Sequence, residues 1–402
     1  MDNSFPELKP PARVLLGPGP SNVHPRVMKA MLSPVLGHLD PEFIGVMEQI
    51  KKLLRIVFRT QNEITFPVSG TGSAGMEAAM ANLIEPGDEV IVGVAGAFGT
   101  RLAEIAERLR AKLTRLDTEW GRIVEPASVA EALKAAKKPK VVALVHAETS
   151  TGAHQPIEEI SELTHRAGAL LVIDAVTSLG CIPVEADKWQ IDACYSCTQK
   201  GIGAPPGLAP ITFSARAMDA VHMRKTKCSS WYLDVALIEH YWGPDRLYHH
   251  TAPITMNYAL YEALRIVVEE GLETRWKRHV ANAAALVTGL AAMGLKLVAQ
   301  EGHRLPQLTA VAVPDGIDEA RVRSELLRLF NIEIGAGLGP FKGKVWRIGL
   351  MGESSRRENV MLVLNALEEI LGSMGMEIAR GRALAAADNA YQAQGLGVGE
   401  PR

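Results

Sequence analysis

From about residue 64 to residue 214 the chain alternates short apolar runs with longer amphipathic ones. The apolar runs are Ile64–Val68, Glu89–Val94, Val141–His146, Leu170–Asp174, Ala193–Cys197 and Ala209–Phe213. Between them, Ala74–Ile84, Arg101–Leu109, Pro126–Lys137 and Pro156–Arg166 place apolar residues at helical spacing. Near-continuous apolar strands separated by helical crossovers predict a largely parallel sheet, covered by helices on both faces.

The rhythm differs on either side of this block. Residues 1–12 form a proline-containing arm, and Leu15-Leu16-Gly17-Pro18-Gly19-Pro20-Ser21 reads as a rigid, turn-rich loop. Helical periodicity follows over 41–58. Residues 215–252 are rich in Lys, Arg, Trp and His and fit no sheet pattern. A long helical stretch over about 254–293 leads to a second unit: strand Leu308–Val313, helix Glu319–Phe330, strands Ile332–Ile334 and Val345–Leu350, and helix Glu358–Leu371. The expected fold class is therefore α/β: a large domain on a mostly parallel central sheet, with a small α/β C-terminal domain. The expected division is an N-terminal arm over 1–20, a large domain over 21–280, a small domain over 281–385 and a partly mobile Ala- and Gly-rich tail over 386–402.

Composition narrows the class. The 402 residues carry a net charge of −2 from 43 basic and 45 acidic side chains, which favours neither nucleic acid nor an anionic membrane as partner. The 47% hydrophobic content is that of a globular protein with a sizeable core. The polar, proline-containing start does not read as a signal peptide, and no run of 18 apolar residues occurs. A cytoplasmic setting is the expectation. Cys194 and Cys197 have redox or zinc spacing, but they lie in strand-like text with no second ligand pair, so a reduced structural pair is expected and no metal site.

The candidate chemistry lies at the ends of the apolar runs. Asp174 closes one of them, and Lys200 follows the next in a turn that ends Pro205-Pro206-Gly207. A lysine that forms a Schiff base and an aspartate that pairs with a pyridine nitrogen are the protein groups that pyridoxal phosphate chemistry requires. Gly70-Thr71-Gly72-Ser73-Ala74-Gly75 follows a strand and opens a helix, as an anion-binding loop does. A dinucleotide site would want an acid at the end of the next strand, Glu89–Ala95, and none is there. Thr71 and Ser73 suit a single phosphate instead. Phe98, between Gly96 and Gly99, can lie flat on a pyridine ring. Thr149, in His146-Ala147-Glu148-Thr149-Ser150, offers a hydroxyl to the cofactor's phenolic oxygen or to substrate. Tyr248-His249-His250-Thr251 suits a phosphate. Arg347, among apolar neighbours in Lys344–Leu350, is either a clamp for a substrate carboxylate or half of a buried ion pair.

These motifs, in this order over about residues 13–375, resemble the alanine–glyoxylate / serine–pyruvate aminotransferase family, class V aminotransferases of pyridoxal phosphate fold type I. The matching text is Leu16-Gly-Pro-Gly-Pro-Ser21, Ser69-Gly-Thr-Gly72, Glu148-Thr-Ser-Thr-Gly152, Asp174-Ala-Val-Thr-Ser178, Gln199-Lys200, Pro205-Pro206-Gly207, Tyr248-His-His-Thr251 and Val345-Trp-Arg-Ile-Gly349. The resemblance implies that Lys200 carries the cofactor as a Schiff base, that Asp174 holds the ring nitrogen, and that Val176 and Phe98 sandwich the ring. It implies a phosphate held by Thr71, Gly72, Ser73 and Gln199, joined by Tyr248 and Thr251 of the partner subunit in a homodimer. Thr149, Arg347 and the Gly19 backbone would meet the substrate. Phe98 and Ser73 depart from the family, which often has Trp and His there. The implied activity is ping-pong transfer of an amino group from alanine or serine to glyoxylate. Another donor such as ureidoglycine, or a class V lyase such as a cysteine desulfurase, is the alternative; the lyases need a mobile cysteine in a late loop.

Overall fold

The structure, a computed structural model, describes residues 5–395. Its strands in chain order are β1 (Val14–Leu15), β2 (Ile64–Ser69), β3 (Glu89–Val94), β4 (Lys112–Asp117), β5 (Pro139–Val145), β6 (Ala147–Glu148), β7 (Ala153–His154), β8 (Leu170–Asp174), β9 (Ala193–Tyr195), β10 (Leu208–Phe213), β11 (Leu308–Ala312), β12 (Ile332–Glu333), β13 (Gly335–Ala336) and β14 (Val345–Gly349). A seven-stranded sheet runs β2-β10-β9-β8-β5-β3-β4. The pairs from β9 through to β4 are parallel, while β10 is antiparallel to both β9 and β2. Parallel neighbours need a crossover, and the helices Ala97–Arg108, Pro126–Ala135 and Glu158–Arg166 supply them. Between β9 and β10 lies only the Lys200 turn, so the chain comes back antiparallel.

The alternation of the strands decides which residues each face buries. Val141, Ala143 and Val172 lie in an apolar cluster on one face with Phe66, Met80 and Leu102. Val142, Leu144, Leu171 and Ile173 lie in the cluster on the other face with Ile50, Leu54 and Leu260. Helix Pro41–Phe58 closes that second face; Asp40 caps it by accepting from the Glu42 N–H at 2.8 Å, as its Asp-Pro start foreshadows.

The second unit is a three-stranded antiparallel sheet, β11-β14-β13, backed by helices Glu319–Phe330, Arg357–Ser373 and Arg382–Ala393 and by part of Leu272–Ala292. Several expectations are corrected here. The stretch over 254–293 is two helices, Ile254–Glu270 and Leu272–Ala292, broken at Gly271. Leu272 packs in the large unit's core while Ala285, Leu286 and Leu290 pack in the small one, so a boundary at 280 falls inside a helix that serves both. Within the expected arm over 1–20, β1 pairs with β12, and buried Leu16 joins the small core. The edge strand β4 was not foreseen, because Lys112–Asp117 presents only Leu113 and Leu116 as apolar residues. Helix Arg382–Ala393 runs into the expected tail; its Ala383, Ala387 and Tyr391 are buried against the small core, with the Tyr391 hydroxyl donating to Asn282 Oδ1 at 2.7 Å. Residues 396–402 of that tail lie outside the described residues. Among the described residues no helix is long and apolar enough to cross a membrane.

Topology then locates the site. From the middle of the sheet, β3 and β4 step one way and β5, β8 and β9 the other. Their direction reverses between β3 and β5, where open α/β sheets bind ligands beyond the carboxyl ends of the strands. The segments leaving those two ends carry Phe98 and Thr149.

Candidate active site

Lys200 sits in a kinked turn, Thr198–Ile202, where its own backbone is not helical (φ −113°, ψ −115°), and it is only 7% exposed. Its Nζ donates to Thr149 Oγ1 at 3.0 Å and to Thr177 Oγ1 at 2.8 Å. The N-terminal loop closes over its stem. A Cβ on Gly19 (φ +112°) would stand 3.1 Å from Lys200 Cγ and 3.2 Å from Cε, so only a glycine backbone fits there. Ser21 anchors that loop, its hydroxyl donating to the Lys200 carbonyl at 2.9 Å. Burial pulls the Lys200 amine below its ordinary range, with Cys197, Asp174 and Glu148 opposing and Arg347 adding. A larger neutral fraction is what a nucleophile or base needs.

Asp174 ends β8 and is buried. Its Oδ1 accepts from Val176 N–H and its Oδ2 from the Tyr195 hydroxyl, both at 2.8 Å. Burial pushes its carboxyl up to about 6 despite those two donors. Tyr195 reaches it because β8 and β9 pair in parallel register, Asp174 opposite Tyr195.

Thr149 lies in the turn between β6 and β7, and Glu148 beside it organises the neighbourhood. Glu148 Oε2 accepts from the Phe98 and Gly99 N–H groups, each at 3.2 Å, and Oε1 from the Ser150 N–H (3.1 Å) and hydroxyl (2.5 Å). A buried carboxylate thus caps helix Ala97–Arg108 and ties the Phe98 turn to the Thr149 turn. The Phe98 ring centre is 5.4 Å from Lys200 Nζ. Across that ring's neighbourhood Arg101 donates to Ser73 Oγ at 3.1 Å, with its guanidinium 5.2 Å from the ring centre.

Arg347, on β14, is buried. Nε donates to the Ala336 carbonyl at 2.7 Å and Nη1 to the Thr149 carbonyl at 3.3 Å. Among the described residues it has no carboxylate within ion-pair distance, which removes the buried-pair reading. Burial lowers it to about 10 even so, with Glu148 opposing.

The remaining expected residues divide in two. Thr71, Gly72 and Ser73 begin helix Gly72–Leu83, and Gly72 packs so closely that a Cβ would stand 3.1 Å from Cys197 Cβ and 3.2 Å from Val176 Cγ2. Gln199, next to Lys200, keeps a buried Oε1 without a partner among the described residues. Tyr248 and Thr251 are exposed, and among the described residues they make no hydrogen bond to this cluster. Tyr248 instead lies 5.1 Å, ring to ring, from His38, and neighbouring His250 bonds Ser69 Oγ at 2.6 Å. Sequence reasoning gave no role to Thr177, Tyr195 or Glu148. Register with Asp174 was the signal for Tyr195, and an acid in otherwise apolar and hydroxyl-bearing text was the signal for Glu148.

The family profile described as Aminotransferase class-V matches residues 14–343. The chain belongs to the class V aminotransferases. This class V aminotransferase is 43% identical to the (S)-ureidoglycine–glyoxylate transaminase of Bacillus subtilis (strain 168), over 97% of its own length and 98% of that protein's. It is 45% identical to the alanine–glyoxylate aminotransferase of Callithrix jacchus, over 90% and 89% of the two chains. The crystal structure of an alanine–glyoxylate aminotransferase from Nostoc sp. superposes with a TM-score of 0.90 at 49% identity, covering 92% of this chain and 99% of that one.

The cofactor of a class V aminotransferase is pyridoxal phosphate, and the residues present fit it. A buried carboxylate, a buried amine, an aromatic ring beside that amine and a glycine at a helix N-terminus are the donor set such a group requires.

Proposed function

We propose that this aminotransferase moves the amino group of alanine or serine to glyoxylate in two half-reactions at one site built on Lys200. The observation that carries the proposal is the convergence around Thr149: its hydroxyl bonds Lys200 Nζ, its carbonyl bonds the guanidinium of Arg347, and Asp174 lies beyond. Pyridoxal phosphate bound there supplies an aldehyde for the amine and a ring that draws electrons from the substrate Cα. Lys200 attaches the cofactor and, once displaced, moves the proton to and from that Cα, its depressed basicity serving both directions. Asp174, ionised, keeps the ring nitrogen protonated. Phe98 and Val176 hold the ring from its two sides. Thr71, Gly72, Ser73 and Gln199 hold the phosphate. Arg347 receives the substrate carboxylate, and the Gly19 backbone closes the space above.

Glyoxylate is named for both relatives above, whereas their donors differ, so acceptor and donor rest on different support. A ureidoglycine donor is the second reading, favoured by the Bacillus relative. A lyase would need a mobile thiol: Cys181, Cys194 and Cys197 are buried, and Cys228 bonds the Ala81 carbonyl. The test is a panel of alanine, serine, ureidoglycine and cysteine against glyoxylate, pyruvate and 2-oxoglutarate, read as kcat/KM. Glyoxylate with a small donor should win. Preference for 2-oxoglutarate overturns the proposal, because a second carboxylate needs a further cation.

In the same assay Arg347→Ala should raise KM for donor and acceptor alike by roughly 30- to 100-fold, since a bidentate charge-assisted pair is worth about 2–3 kcal/mol. The cofactor absorbance should stay unchanged. An effect on one substrate only would remove Arg347 from the common carboxylate site.

The active unit is proposed to be a homodimer, in which Tyr248 and Thr251 complete the neighbour's phosphate site. Their exposure supports this, as do exposed Leu247 beside Tyr248 in the chain and exposed Trp231 stacked on His249. Mixing Lys200→Ala with the double variant Tyr248→Phe, Thr251→Ala should restore part of the activity through mixed dimers. A fully active monomer in sedimentation is the opposing result.

A further inference from the structure

The amine of Lys200 has two hydroxyl neighbours, and the proposed function uses only one. The bond to Thr177 Oγ1, at 2.8 Å, is shorter than the 3.0 Å bond to Thr149 Oγ1, and the two hydroxyls bond each other. Thr177 is 1% exposed and stands three residues after Asp174, in the turn that carries β8 on towards β9. Its backbone is fixed from the small unit: its carbonyl accepts from Gln307 Nε2 at 3.0 Å, and Gln307 is wholly buried. The Gln307 carbonyl in turn accepts from Leu350 N–H at 3.0 Å, directly after the strand that bears Arg347. The hydroxyl therefore has a fixed place relative to both the reactive lysine and the carboxylate clamp.

We propose that Thr177 is a positioning residue for transamination: its hydroxyl holds the Lys200 amine whenever that amine is free. The proposal rests on Lys200 being the reactive lysine. Thr149 is shared, since its carbonyl also serves Arg347 and its hydroxyl faces the expected cofactor and substrate. Thr177 has no such second duty. A free lysine amine swings on four carbons, and proton transfer to a fixed substrate carbon needs it aimed. As the amine donates to Thr177 Oγ1, the hydroxyl also favours the ammonium form against the burial that opposes it. The charged and titratable groups facing that amine are Asp174 at the end of β8, Glu148 after β5, Arg347 on β14 and the Cys197 thiol on its own loop.

The test uses the holoenzyme driven by excess donor into the form in which the lysine is free. Labelling of Lys200 by an amine-acylating reagent is followed against pH by peptide mapping, beside the pH profile of kcat. Thr177→Val, nearly isosteric, should lower the half-labelling pH by about half a unit or more, because an acceptor of the ammonium is gone. It should lower kcat roughly tenfold or more with KM nearly unchanged, and Thr177→Ser should restore both. A half-labelling pH that does not move means Thr177 only fills space, whatever happens to turnover, and overturns the proposal. Should Thr177→Val fail to fold, Thr177→Ala is read by the same criterion. Borohydride labelling of the wild type separates the two levels: a label on a lysine other than Lys200 defeats the underlying assignment, whereas a label on Lys200 with an unmoved midpoint defeats this inference alone.

Discussion

Lys200→Ala yields a folded protein without turnover. The loss should be at least ~10⁴-fold, because in the proposed function one side chain supplies both the covalent attachment and the proton transfer. The fold should survive, since a buried amine costs desolvation that alanine does not. Truncation empties the space against which Gly19 packs, yet the turn is held by main-chain contacts that remain: Ser21 N–H to the Gln199 carbonyl at 2.8 Å and Arg275 to the Gly201 carbonyl at 2.6 Å. Thermal unfolding and steady-state kinetics check the two halves. Borohydride reduction of the wild type, followed by peptide mapping, should place the label on Lys200. A label elsewhere, or a Lys200→Ala enzyme that turns over within tenfold of wild type, sinks the assignment.

The parts of this fold that were legible are those in which one local signal agrees with burial. The apolar runs ending at Val94 and Asp174 are strands because they are buried on both faces, and their carboxyl ends carry Phe98's turn and Asp174 itself. Edge strand β4 was not legible, since an edge needs few apolar positions. Helix Arg382–Ala393 was hidden because Ala383 and Ala387 pack by smallness rather than by hydrophobic contrast. The arm's β1 is held by a pairing with β12 more than 300 residues away, and no local pattern encodes that. At the site, Arg347 stood out as a costly charge among apolar neighbours, Asp174 as the acid that closes an apolar run, and Lys200 by its glycine- and proline-rich turn after the next run. Thr177, Tyr195 and Glu148 meet the site through bonds to the Lys200 amine, to Asp174 and to the Phe98 turn, contacts that appear only once the strands are aligned.

In the proposed function Asp174 holds the cofactor's ring nitrogen, and Asp174→Asn separates charge from shape there. The side chains are nearly isosteric, and the carboxylate now accepts from Val176 N–H on one oxygen and from the Tyr195 hydroxyl on the other. An amide oxygen can keep only one oxygen's worth of these bonds, so a stability loss of about 1–2 kcal/mol is expected. The larger effect is electrostatic. An ionised Asp174 favours a protonated ring nitrogen, and asparagine does not, so kcat/KM should fall by roughly 100-fold or more. The pH dependence has a definite sign. Burial raises the Asp174 carboxyl of the cofactor-free protein to about 6, above its ordinary 3.8. Its contribution to stability is then greatest below about pH 4 and is lost as pH rises through about 6. A protonated ring nitrogen needs the carboxylate, so cofactor should bind more weakly as pH falls below about 6. Asp174→Asn should abolish that step, leaving affinity flat between about pH 5 and 7 where this group alone is concerned. Cofactor titrations of the resolved protein at several pH values, beside kcat/KM at pH 8, measure both effects. An Asp174→Asn enzyme within threefold of wild type would overturn the assignment of the ring nitrogen to Asp174.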